Sequence, residues 1–100
     1  MRNIFEVLSK KNDAWFSDVI GEPNDVPVAI RVMNNYTAPF HSHESGDEMF
    51  IVLSGTVFID TLKSIITINA GETHTVPAGV EHRARTEDRA ELIVIGGKNV

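Results

Sequence analysis

The chain has 100 residues, 42% of them apolar, and 9 Lys+Arg against 14 Asp+Glu give a formal net charge of −5. That length fits one domain rather than two, and the apolar share fills a core without recourse to disorder or a disulfide scaffold. The acidic balance argues against nucleic acid and anionic membrane as partners, since both demand a basic surface, and with no cysteine present strong metal ligation falls to His, Asp and Glu.

Met1–Lys10 carries Arg2, Asn3, Glu6 and Lys10 with no apolar run, the wrong pattern for a signal peptide. No stretch reaches the roughly 18 apolar residues of a membrane span, so the expected location is the cytoplasm. Ile4, Val7 and Leu8, spaced i, i+3, i+4, predict one short helix that ends before Asn12 and Asp13. Beyond it the helical period disappears. Runs rich in β-branched and aromatic residues predict strands over Trp15–Ile20, Val26–Met33, Met49–Leu53, Thr56–Leu62, Ile65–Ile68, Thr73–Val76 and Leu92–Ile95. The breaks between them are turn-like, among them the Gly21–Asp25 segment, Asn34-Asn35, Ser45-Gly46-Asp47, Ser54-Gly55 and Ala78-Gly79. No segment is long enough for a helical crossover between parallel strands, so the expected fold is all-β and antiparallel, a sandwich or barrel. With no repeat, linker or low-complexity stretch, residues 1–100 read as a single domain.

The chemistry concentrates in a few positions. His41-Ser42-His43 places two imidazoles at i and i+2, which on a strand share a face. Glu48 follows the Ser45-Gly46-Asp47 turn, and a hairpin there would bring its carboxylate opposite the two rings. Gly71, Pro77 and Gly79 shape a turn that delivers His82 to the start of another strand. Three imidazoles and a carboxylate suit a divalent transition metal (Fe, Mn, Ni, Zn, Co or Cu) and suit Ca or Mg poorly, because those ions favour all-oxygen shells. Phe50 and Val52 share the face of Glu48 by the period of two and are expected to line a substrate pocket beside the metal, as is Ala84, two residues after His82 and small enough to leave room. Arg31, Arg83 and Arg85 are candidate anion clamps, although Arg83 and Arg85 flank the face that carries His82 and should point away from it. His74 shares a face with Val76 and reads as a packed residue, and Asp47 as a turn residue. Glu6, Lys10, Lys11, Glu87, Asp88 and Arg89 read as solvated charge.

These residues resemble the two motifs of the cupin superfamily. The first runs Gly, five residues, His-x-His, three or four residues, Glu, six residues, Gly, and His41, His43, Glu48 and Gly55 fall on it. The second runs Gly, five residues, Pro-x-Gly, two residues, His, three residues, Asn, and Gly71, Pro77, Gly79 and His82 match it. Asn35 stands where the first motif has its leading Gly, a tolerable change because Asn also enters the left-handed region. Thr86 stands where the second has its closing Asn. The resemblance implies a small antiparallel β-barrel, a double-stranded β-helix of jelly-roll type preceded by the short helix read above, holding its metal near one mouth through His41, His43, Glu48 and His82. It also implies a homodimer, since small one-domain cupins commonly pair. The expected function is a metal-dependent enzyme on a small organic molecule, with dioxygenase-type chemistry ahead of isomerase or lyase chemistry and Glu48 doubling as a catalytic proton acceptor. The alternative is a non-catalytic module that binds a small molecule or sugar.

Overall fold

The computed structural model describes residues 1–97. A helix, α1 (Ile4–Ser9), precedes β1 (Trp15–Gly21), β2 (Val28–Asn34), β3 (Glu48–Ser54), β4 (Thr56–Thr61), β5 (Ile65–Asn69), β6 (Thr73–Val76), β7 (His82–Arg85) and β8 (Arg89–Gly96), with one turn of 3-10 helix at Pro23–Asp25. Asn3 caps α1: its Oδ1 accepts from the N–H groups of Phe5 and Glu6 at 3.0 and 3.1 Å, supplying partners the first turn lacks. Leu8, on the apolar face of α1, is fully buried against Ile30 and Val32 of β2. At the other end the guanidinium of Arg89 donates to the carbonyls of Leu8, at 2.7 Å, and Lys11. Arg89 is therefore a helix cap and not the solvated charge its surroundings in sequence suggest, because the carbonyl it satisfies lies 81 residues away. No helix among the described residues is long and apolar enough to cross a membrane.

All paired strands run antiparallel, in a five-stranded sheet of order β1-β2-β8-β3-β6 and a three-stranded sheet of order β5-β4-β7. The inner faces meet in one core, where Phe50, Val52 and Leu92 from the larger sheet join Val57, Ile59 and Ile68 from the smaller. Strand β2 is buried on both faces, one by this core and the other by α1, which is why its sequence is apolar nearly throughout.

The expected barrel does not close into a continuous ladder among the described residues. The two sheets form the expected jelly roll, but the 35–47 segment joins β7 only through isolated bridges, Thr37 to Arg85 and His41 to His82. Two local features prevent that segment from becoming a full strand. Asn35 adopts a left-handed φ of 49°, and Pro39 has no N–H to give to a ladder.

Arg83 and Arg85 point to the outer face of the small sheet, as the period of two requires. Their Nε atoms donate to Asp60 Oδ2 at 2.9 and 2.7 Å, and their guanidinium groups lie over the rings of Phe40 and Phe58 at 4.7 and 4.6 Å. The carboxyl of Asp60 is held below its ordinary range, first by the hydrogen bond from Arg85 and then, against the opposing effect of burial, by that from Arg83. A carboxyl whose folded pKa is depressed contributes stability above its unfolded value of about 4, and that stability is lost as pH falls through the folded value. Asp60 is buried beneath two guanidinium groups that stay partly exposed to water, so Asp60→Asn is expected to cost about 2 kcal/mol at pH 7. The gap from the native protein should narrow in strong acid. Urea denaturation at pH 7 and pH 3 checks this, and an equal gap at both would refute the assignment.

Candidate metal centre

Both sheets and the loop between β2 and β3 contribute to one cluster. Glu48 opens β3 in the larger sheet and His82 opens β7 in the smaller. His41 is tied to His82 by a reciprocal pair of backbone hydrogen bonds, each 2.9 Å, and the carbonyl of His43 accepts from Gly79 N–H at 2.9 Å. Asp47 Oδ1 accepts from Ala78 N–H at 2.9 Å, fastening the turn before Glu48 to the turn before His82. The anticipated hairpin between the His-x-His segment and Glu48 is not formed. Strand β3 pairs with β6 and β8, and Glu48 meets the rings across the interior rather than along a ladder.

One ligating atom from each of His41, His43, Glu48 and His82 lies within 4.8 Å of the others. Glu48 Oε1 is 2.7 Å from His82 Nε2 and 4.0 Å from His41 Nε2, and Glu48 Oε2 is 3.4 Å from His43 Nε2. His43, Glu48 and His82 are buried, while the His41 side chain is 38% exposed. His41 Nδ1 stands 3.0 Å from the Pro39 carbonyl and His82 Nδ1 2.8 Å from the Val80 carbonyl. A carbonyl only accepts, so both Nδ1 atoms carry protons and both Nε2 atoms face the cluster. His82 Nε2 also contacts a carboxylate, so without metal the pair is an imidazolium and a carboxylate. Burial pushes the His82 pKa down, but the hydrogen bonds to Glu48 and the Val80 carbonyl outweigh it and hold the pKa above its ordinary value. Burial likewise opposes ionisation of Glu48, yet the hydrogen bond from His82, helped by His43, His82 and Arg31, holds its pKa below the usual range. The shared proton sits among converging donors where a cation would serve equally, and this donor set can hold a transition metal.

A cavity of about 670 Å³ opens beside the cluster, with His41, His43, Glu48, Phe50 and Ala84 along it. Val52 lies deeper on the same face of β3, in the core and not on the cavity wall. His74 pairs with Phe50 in register but remains outside the cluster. Farther along the same cavity stand Trp15 and Ser17 of β1, Arg31 of β2, and Tyr36. Apart from Arg31, none of these stands out in the sequence. Strand β1 has apolar residues on both faces, Phe16 and Ile20 in the α1 cluster and Trp15 and Val19 toward the cavity, so its alternation does not reveal which face is inside.

A two-sheet antiparallel jelly roll with three imidazoles and a carboxylate gathered on its inner wall defines a domain of cupin type. The chain belongs to the cupin domain family, Cupin_2, whose model matches residues 30–96. It is 30% identical to the uncharacterized protein YdbB of Bacillus subtilis (strain 168) over 98% of this chain and 87% of that protein. Among solved structures it is similar to a cupin-2 domain containing protein from Shewanella frigidimarina, with a TM-score of 0.87, 31% identity and coverage of 97% of this chain and 94% of that one. The protein NMB1881 from Neisseria meningitidis shares the fold at a TM-score of 0.81 and 23% identity, over 95% of this chain and 96% of that one.

Proposed function

We propose that the protein is a single-domain, metal-dependent enzyme acting on a small organic molecule, with dioxygenase-type chemistry ahead of isomerase or lyase chemistry. The carrying observation is that three of the four donors, His41, His43 and Glu48, border a cavity, with His82 buried behind them against Glu48, the form of a catalytic site and not of a closed structural one. His41, His43, Glu48 and His82 would be the ligands. When bound, the metal supplies Lewis acidity or, as iron, a place for oxygen to react. Phe50 keeps water from the reacting end and Ala84 leaves space for the substrate, with Val52 backing the wall. Glu48, on loosening from the metal, would accept a proton from a neighbouring substrate atom and return it.

A second reading, a non-catalytic binding module, is favoured by one feature. The buried carboxylate on the cavity wall is Glu48, and it is already committed to His82. Metal analysis of protein purified without oxygen or added metal, followed by oxygen uptake with diketones, catechols and thiols, separates the two. Stoichiometric iron with turnover supports the enzyme, whereas stoichiometric metal with no turnover supports the binding module. Assembly as a homodimer is supported by the outer edge of β1, which has no strand partner among the described residues and could accept a second copy. Light scattering in solution tests it.

A further inference from the structure

Arg31 lies on the inner face of β2, where register places it beside Ser17 of β1 and Leu92 of β8. Its guanidinium sits 4.3 Å from the centre of the Trp15 ring, and its Nε donates to Ser17 Oγ at 3.4 Å. Stacking fixes the plane of the fork and the serine anchors one edge, leaving N–H donors of both Nη atoms for the cavity that Arg31 lines. The other four arginines of the chain each hold a carboxylate: Arg2 with Asp18, Arg83 and Arg85 with Asp60, and Arg89 with Glu91. Arg31 alone has no carboxylate within ion-pair distance among the described residues. A partly buried cation without a contacting anion costs free energy, and burial pushes its pKa down, with the more distant Glu48 carboxylate opposing only in part.

We propose that Arg31 is the anion-binding half of the site, gripping a carboxylate of the substrate through its planar fork while the rest of the molecule extends toward the cluster at Glu48. The position rests on the functional reading above, but the anion specificity stands on Arg31 itself. A monoanion fits better than a phosphate dianion, because Glu22 and Glu48 line the cavity and no lysine among the described residues does. The fork also matches a carboxylate edge to edge. Strand β8 separates β2 from β3, and register sets Arg31 level with Val52, four residues along β3 from Glu48, so the two backbone positions stand about 16 Å apart at the usual strand spacing and rise, and the long arginine stem covers part of that span. The remainder suits a carboxylic acid with a short chain or a single ring between its carboxylate and its reacting end.

The test follows the indole N–H of Trp15, the single tryptophan of the chain, by ¹H–¹⁵N NMR in zinc-loaded and metal-free protein. The probes are 4-oxopentanoate and benzoate, each against its primary amide, with inorganic phosphate alongside. Both carboxylates are expected to shift the resonance saturably, with the amides at least about tenfold weaker. Arg31→Gln should abolish the response and Arg31→Lys weaken it about tenfold, because lysine lacks the fork, while both variants keep the native zinc stoichiometry. Equal binding of acid and amide, or undiminished binding by either variant with native amide dispersion, would overturn the proposal. Phosphate bound in preference to both carboxylates would overturn the ligand class. If zinc fails to bind the native protein, the metal reading falls and the metal-free titration decides Arg31 alone.

Discussion

Replacing His82 with alanine is expected to strip the protein of its metal, leaving less than about a tenth of the native content after desalting. The His82 ring is buried, fixed at Nδ1 by the Val80 carbonyl, and delivers Nε2 to within 2.7 Å of Glu48. Loss of an outer-shell partner alone weakens metal sites about 10–100-fold, and removing a ligand from a set of four should exceed that. The metal-free variant should also lose about 2 kcal/mol of stability, less than the 3–5 typical for breaking a buried pair, because Glu48 borders the cavity and can recover water there. The pH dependence identifies the cause. With its pKa raised, His82 contributes stability that is fully present below about 6.5 and is lost as pH rises through the folded value. With its pKa lowered, Glu48 contributes stability present above about 4.5 and lost as pH falls through its own. Native metal-free protein should therefore weaken on the alkaline side of neutrality, and His82→Ala should not. Metal affinity should rise over that same alkaline range, since the metal must displace the proton on His82. Elemental analysis and urea denaturation at pH 6 and pH 8.5 read both effects. Native metal content in the variant would sink the ligand assignment.

Gly96→Ala is expected to cost about 3 kcal/mol and to disturb the same site from behind. Gly96 closes β8 opposite Glu48 with a φ of +82°, and a Cβ there would run into the backbone carbonyl of Asp47. Backbone cannot rotate aside as a side chain would, so the start of β3 must move and take the Glu48 carboxylate with it. Gly71 is the control. It has a similar φ of +84°, but a Cβ there meets nothing within 4 Å, so Gly71→Ala should cost only about 1 kcal/mol in conformational strain and leave metal content unchanged. Urea denaturation of the metal-free proteins and metal content of the loaded ones distinguish the two. Equal losses would mean that left-handed geometry alone matters and that close packing of β8 on Asp47 does not.

Where the sequence pattern is local, it determines the outcome. The alternation from Glu48 through Phe50 to Val52 places all three on the inner face, and each is buried. The i, i+3, i+4 spacing of Ile4, Val7 and Leu8 becomes α1, and Asn35 takes the left-handed turn in place of a glycine. The spacing of His41, His43, Glu48 and His82 marks a set of residues that do meet, although not through the strand face and hairpin that the same spacing suggests. Tertiary structure decided which sheets supply the four side chains, that the ladder stays open beside residues 35–47, that Arg89 caps α1, and that Arg31 joins Trp15 and Ser17 along the cavity that reaches the cluster. The physical reason is range. Periodicity assigns a side chain to one of two faces, but it does not choose the strand that lies beside it or say which face is inside when both are apolar, as on β1 and β2. Those choices are made by pairings between distant segments, which exist only once the chain has folded.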